Sequence, residues 1–233
     1  RNKDNIVAKR GALFMINLKH VVQQQGYTVA HIKTDSIKIP NATPEIIEFV
    51  MEYGAQYGYT FEHEATYEKM CLVNESTYIA KYSDEDLNGK HAGQWTATGA
   101  QFQVPYVFKT LFSKEPIEFE DMCETKQVST SMYLDMNEEL PEGEHNRVFI
   151  GRVGLFCPIK PGCGGGELVR ENKDKFDSVV GTKGYRWLES DMVKELGKEK
   201  DIDKSFYKNL VDKAVKSISE YGDFEWFISN DKE

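Results

Sequence analysis

Between residues 4 and 25 apolar side chains recur at three- and four-residue spacing: Ile6, Leu13, Ile16, Val21 and Val22, with Asn17 in the same rhythm and Gly26 directly after. This spacing predicts an amphipathic helix ended by glycine. Gly11 lies inside it at a cost of about 1 kcal/mol relative to Ala, and a close approach of another segment is the expected reason. The period then changes. Tyr27 to Ile32 is rich in strand formers, Lys33-Thr34-Asp35-Ser36 breaks the run, and Ile37-Lys38-Ile39 resumes it before Pro40. That pattern predicts a β-hairpin with a polar tip. Thr43-Pro44-Glu45 carries the signals of a helix start, namely a hydroxyl cap, proline at the first position and an acid in the first turn. The helix is expected to end near Tyr57, before Gly58. Tyr59 to Thr66, Lys69 to Val73 and Thr77 to Tyr82 read as strands, and residues 83–94 as a polar loop.

Beyond Thr98-Gly99 the pattern predicts helices over Pro105 to Phe112 and Phe119 to Met132. An acidic loop is expected over 137–146, and a strand over Val148 to Phe156. Pro158 to Gly166 is dominated by Gly and Pro. Val169, Phe176 to Val180 and the turn Gly181-Thr182-Lys183-Gly184 suggest a small β element. Further helices are expected over Trp187 to Leu196 and Asp203 to Glu220, the latter with the stripe Phe206, Leu210, Ala214 and Ile218. Asp223 to Ile228 closes the chain, and no internal repeat is visible.

With 233 residues, 40% hydrophobic and 29% charged, the chain can bury a sizeable core. Its longest apolar stretch, Ala12 to Val22, is interrupted by Asn17, Lys19 and His20, so no membrane span is expected. No leader follows Arg1-Asn2-Lys3-Asp4, which predicts an intracellular, cytoplasmic protein. A first residue other than Met leads to the expectation of a fragment or a processed product. Net charge is −9, which argues against a generic polycation. Yet residues 1–40 carry seven Lys/Arg against two Asp, and His145 to Gly166 holds three basic and no acidic residues, so a local basic channel remains open. Cys71, Cys123, Cys157 and Cys163 have no CxxC spacing and are expected to be buried free thiols. The sequons at Asn41 and Asn74 read as chance matches.

The most informative feature is the tip Ile32-Lys33-Thr34-Asp35-Ser36-Ile37. A carboxylate at a tight turn is held outward on a rigid support, which suits a divalent cation. Thr-Asp-Ser is also ordinary turn chemistry. In context, the order helix, strand, Thr-Asp-Ser, strand, helix and acidic strand resembles the palm of family B DNA polymerases, of bacteriophage or prophage type. That family carries Asp-Thr-Asp-Ser at a hairpin tip, and Asp35 matches its metal-binding second Asp. Thr34 and Ser36 match too, while Lys33 stands where the first Asp would be. Glu62-His63-Glu64-Ala65 resembles the acidic strand of such palms. Cys71 to Tyr78 resembles the segment ending in Lys-Lys-Arg-Tyr, with Tyr78 in the final position and Glu75, Ser76 and Thr77 in place of the basic residues. Strand alternation places Lys81 on the face opposite Tyr78. Thr98-Gly99 to Pro105 resembles the entry to the thumb.

The resemblance implies an α+β fold, with the C-terminal part of a palm over 1–98 and a mainly helical thumb with a small β element over 99–233. It implies template-directed nucleotidyl transfer to a primer 3′-OH by two Mg²⁺ ions, with primer-template DNA, deoxynucleoside triphosphates and the remainder of the polymerase as partners. The metal ligands would be Asp35, Glu62 and Glu64, completed by a carboxylate outside this chain, and Asp35 would be catalytic. Glu62 and Glu64 lie two apart and share a strand face, which is equally the pattern of a solvated face. DNA contacts would come from Lys33, Thr34, Ser36, Tyr78, Arg152, Lys160, Lys183 and Arg186. The run Gly162 to Glu167 misses GxGxxG; it reads as a flexible turn or as a backbone approach to phosphates beside Arg147, Arg152 and Lys160. The segments preceding the hairpin in that family are not in this sequence, so the chain alone is expected to be inactive. A non-catalytic DNA-binding or assembly module is the rival reading. A hydrolase using Glu62 and Glu64 ranks lower, because neighbouring carboxylates on one strand do not flank a scissile bond.

Overall fold

Helix α1 spans Ile6–Gln24 and buries Phe14, Met15, Leu18 and Val22 on one face. The computed structural model describes residues 6–84 and 91–230, so residues 4–5 of the expected helix and half of the 83–94 loop lie outside the described residues. Among the described residues nothing lies near the position a Cβ on Gly11 would take, so no close approach by them explains it. After α1 the chain forms strands β1 (His31–Ile32) and β2 (Ile37–Lys38), antiparallel, with Ile32 opposite Ile37. Helix α2 follows over Pro44–Gln56. Thr43 is extended, with φ −95° and ψ 161°, and its hydroxyl accepts the Ile46 N–H, satisfying one of the donors that a helix start leaves open.

The helices and hairpin share one core. Phe14, Met15, Leu18, Val22, Ile46 and Val50 are buried in it, and Ile32, Ile37 and Ile39 pack against it from the hairpin. The segment after α2 departs from expectation: strand geometry begins only at Tyr67, in β3 (Tyr67–Asn74). The reason lies in how Tyr59 and Phe61 are used. The Tyr59 N–H donates to the Gly54 carbonyl at 2.9 Å. Phe61 sits so close over Gly54 that a Cβ there would lie 2.5 Å from its ring. The chain is therefore held along α2 rather than along a neighbouring strand, although its inward and outward alternation survives.

The chain divides into two compact units, Arg1–Glu68 with Tyr82–Ala92, and Lys69–Lys81 with Gly93–Glu233. The boundary expected at residue 98 is a functional one, and the compact units fall differently: most of β3 and nearly all of β4 (Thr77–Tyr82) group with the later residues. In this second unit β3, β4 and β5 (Trp95–Thr98) lie side by side. Short helices α3 (Ala100–Gln103) and α4 (Pro105–Phe108) follow, the latter running into a π-helical turn over Lys109–Ser113.

The region expected to be a mainly helical thumb is instead built on a five-stranded antiparallel sheet. Phe119 to Met132 is not a helix. A 3₁₀ turn over Phe119–Met122 leads into β6 (Glu124–Asp135), which pairs with β7 (Arg147–Ile159) and β8 (Glu167–Asn172). Val128, Thr125 and Thr130 favour a pleated strand, and pairing with β7 from Glu124, joined by β8 from Met132 to Asp135, decides the outcome. β9 (Lys175–Ser178) and β10 (Arg186–Glu189) complete the order β10-β7-β6-β8-β9. Trp187 to Leu196 is correspondingly split into the end of β10 and helix α5 (Ser190–Glu195). Helix α6 (Lys204–Ser219) matches the predicted stripe, with Phe206, Tyr207, Ala214 and Ile218 buried. Phe206 and Tyr207 pack on Met132, Leu134, Phe156, Leu168 and Trp187 from the sheet. Ala214 and Ile218 join Cys71, Ile79, Phe102, Phe112 and Phe227, the last from α7 (Phe224–Ile228). The fold is thus mixed α and β, as expected, with more sheet in its second half.

Candidate functional site

The hairpin tip is assembled by packing on one side and turn geometry on the other. Ile32 and Ile37, paired across the strands, fasten the hairpin to the α1–α2 core. The Lys33 N–H donates to the Ser36 carbonyl at 2.9 Å, closing a loop in which Thr34 and Asp35 occupy the two tip positions. Thr34 and Asp35 are exposed, and Lys33 and Ser36 are half-buried. The carboxylate of Asp35 therefore projects to solvent from a short loop whose flanks are anchored. A carboxylate so placed can supply one hard oxygen ligand to Mg²⁺ and leaves the other coordination positions free.

Glu62 and Glu64 are also exposed, while Phe61, His63 and Ala65 between and beside them are half-buried. The two acids thus share the outward side of their segment, as the spacing predicted, although the segment is not a strand. His63 is held by its ring Nε2, 2.9 Å from the Thr66 hydroxyl. Among the described residues no three His, Cys, Asp or Glu side chains meet in a group that could hold a metal ion. Asp35 fits one position of a hard-cation site, and further ligands would have to be brought to it.

The remaining candidates lie in the second unit. Tyr78 is half-buried in β4, opposite Thr98 of β5. Arg152 is exposed on β7, and Lys183 is exposed in the turn before β10. Lys160 is exposed too, with its Nζ donating to the Lys200 carbonyl at 3.2 Å. Arg186 has an internal role. Its guanidinium donates to the Gly165 carbonyl at 3.3 Å and to Asn137 Oδ1 at 3.1 Å, with Glu138 and Glu167 3.6 and 3.8 Å away. It braces the acidic loop and the glycine run against β10.

The glycine run itself is not simply a flexible turn. Gly165 and Gly166 are buried, and Gly166 exchanges both backbone hydrogen bonds with Trp187, at 2.9 and 2.7 Å. A Cβ on Gly166 would lie 2.7 Å from the Met136 sulfur and 2.9 Å from the Asp135 carbonyl oxygen. These two glycines serve close backbone packing, so they are not presented for phosphate contact.

Sequence reasoning passed over one polar pair. Asp135, 2% exposed, accepts from His145 Nδ1 at 2.6 Å and from the Asn146 N–H at 3.0 Å. It ties together the two ends of the loop between β6 and β7. The signal was an acid and a histidine flanking a Pro/Gly-containing loop, visible only once the strands on either side are paired. The thiols are free, with Cys71 and Cys157 buried and Cys123 and Cys163 half-buried. Among the described residues no helix is long and apolar enough to cross a membrane. No protein-family model matches the chain, and no curated protein matches it.

Proposed function

We propose that this chain is the C-terminal palm and thumb portion of a family B DNA polymerase, and that Asp35 is its catalytic metal ligand. The observation that carries the reading is the exposed Asp35 on a two-residue tip, framed by α1 and α2 and anchored by Ile32 and Ile37. Bound Mg²⁺ would supply activation of the primer hydroxyl and stabilisation of the leaving oxygens. The chain's own part is to hold the Asp35 carboxylate outward and to offer Glu62 and Glu64 on an outward-facing segment. Lys33, Thr34 and Ser36 flank the carboxylate where primer-template DNA would pass. Arg152, Lys160 and Lys183 are exposed cations available for phosphate contact. Arg186 is assigned to bracing the loop.

A second observation supports a larger assembly. Ile6, Leu13 and Ile16 are 58%, 58% and 50% exposed, on the side of α1 turned away from its buried residues. An apolar stripe of that kind is costly to leave in water, and the remainder of a polymerase would cover it.

The rival reading, a non-catalytic DNA-binding or assembly module, draws on Lys33 in place of an acid and on the lack of a three-ligand group among the described residues. Primer extension separates the two. The full-length protein that contains these residues should extend a primed template with deoxynucleotides and Mg²⁺, and the 233-residue chain alone should not. A full-length protein that binds primed DNA but adds no nucleotide would favour the module. Extension by the chain alone would contradict the assignment of the missing ligands to other polypeptide.

A further inference from the structure

Two of the four thiols meet. The register of β6 and β7 pairs Glu124 with Phe156, which puts Cys123 opposite Cys157. Their sulfurs are 3.4 Å apart and not bonded. Directly opposed residues on antiparallel strands have Cα atoms about 4.5–5.5 Å apart, within the range of about 4.4–6.8 Å that a disulfide spans. A disulfide sulfur pair is about 2.05 Å long, so closure needs side-chain rotation rather than movement of the strands. The two thiols differ in access. Cys157 is fully buried among Ile159, Leu188, Val193 and Ile202, whereas Cys123 is half-buried at the mouth of the strand pair.

We propose that Cys123 and Cys157 form a redox pair, closing to a disulfide in the presence of a low-molecular-weight disulfide and pinning the start of β6 to the end of β7. Cys123, the accessible thiol, loses its proton to solvent, and its sulfur attacks one sulfur of oxidised glutathione. One glutathione thiolate leaves. Cys157 then loses its proton, and its sulfur attacks Cys123 Sγ and expels the second glutathione. Two protein thiols are oxidised, one glutathione disulfide is reduced to two thiols, and no other reactant is needed. Burial pushes both thiols above the usual cysteine range, which lowers the thiolate fraction and makes exchange slow. The bond would close a loop whose ends are 34 residues apart, containing the whole turn between β6 and β7. This device does not depend on the polymerase reading.

The whole chain is equilibrated in glutathione buffers of increasing oxidised fraction, acid-quenched, alkylated and digested for mass spectrometry. The expected product has lost two hydrogen masses, carries a peptide joining Cys123 to Cys157, and reverts with dithiothreitol, while Cys71 and Cys163 remain open to alkylation after unfolding. Cys123→Ser should remove the cross-link with the circular dichroism unchanged. Cys157→Ser should leave a lasting glutathione adduct on Cys123. In the oxidised chain the amides of Glu124–Gln127 and Val153–Phe156 should exchange with deuterium more slowly. The proposal is overturned if the unmodified chain stops at the Cys123 adduct, if both thiols stay free in the most oxidising buffer, or if Cys123 joins another cysteine. Unaltered exchange in a cross-linked chain would overturn the pinning.

Discussion

Replacing Lys69 with Met should loosen the C-terminal helix selectively. Lys69 is 5% exposed, an unusual place for an ammonium group. Its Nζ donates to the Trp226 carbonyl at 2.6 Å, the Ser229 carbonyl at 3.1 Å and the Ser229 hydroxyl at 3.3 Å, and lies 4.3 Å from the centroid of a Trp226 ring. These acceptors lie at the end of α7, where the helix dipole favours a cation. Hydrogen bonds from a charged donor contribute about 1.5–3 kcal/mol each, and the ring contact about 0.5–2 kcal/mol. The cost of burying the charge offsets much of this. Met fills the stem's volume but supplies no donor, so the net loss should be about 3 kcal/mol. Part of it falls on Phe227, which α7 inserts beside Trp95 and Phe112. A domain of this size loses roughly 2–4 °C of Tm per kcal/mol, so thermal melting should drop by about 6–12 °C. Hydrogen exchange should quicken first over Phe224–Ile228, ahead of α6. An unchanged Tm with unchanged exchange in α7 would refute the reasoning, since it would mean that the buried ammonium contributes nothing beyond its methylenes.

Other expectations follow from the same contacts. Thr43→Ala should cost about 1 kcal/mol through loss of the α2 cap, measured by chemical denaturation. Gly166→Ala should cost about 1–3 kcal/mol or more, because the new Cβ meets a backbone oxygen that cannot step aside; a melt like that of the parent would disprove the close packing. Arg186→Ala should lower stability by about 1–2 kcal/mol through its lost internal contacts, whereas Arg152→Ala and Lys183→Ala should leave the melt alone and weaken DNA binding in a salt-dependent way. Finally, the Glu45 carboxyl is held below the usual carboxylate range by its own backbone N–H and by the Thr43 hydroxyl. Its depressed folded value means that its contribution is present above the unfolded carboxyl range and lost as pH falls through the folded value. A carbon-detected NMR titration should place its midpoint under those of exposed glutamates, and Thr43→Ala should raise it.

The parts of the fold legible in the sequence are those set by local rules. α2 follows from the Thr43-Pro44 start and Gly58, and α6 from its stripe; α1 is found where expected and stops before Gly26, but it buries Phe14, Met15, Leu18 and Val22 rather than Ile6, Leu13 and Ile16. The hairpin was visible because two short β-rich runs flank a polar tetrapeptide. The helix expected over Phe119 to Met132 is absent because β6 takes its stabilisation from β7 and β8, which are distant in sequence. Glu62 and Glu64 were correctly placed on one side, but the segment found its support on α2 rather than in a sheet. The roles of Arg186, Gly165, Gly166 and the Cys123–Cys157 pair depend on strand register, which no local pattern encodes. For the site, the tip was legible because a turn is a local object, whereas the meeting of distant acids is not.

The central claim is that the Asp35 carboxylate holds the catalytic cation. Its most direct test is single-nucleotide addition by the full-length protein bearing Asp35→Asn, with primed-DNA affinity and thermal melting measured on the same preparation. The account predicts addition reduced by at least about three orders of magnitude, as loss of a metal's several kcal/mol of transition-state stabilisation requires, with melting unchanged because the side chain is exposed. Addition at the parent rate by the Asn variant would contradict it.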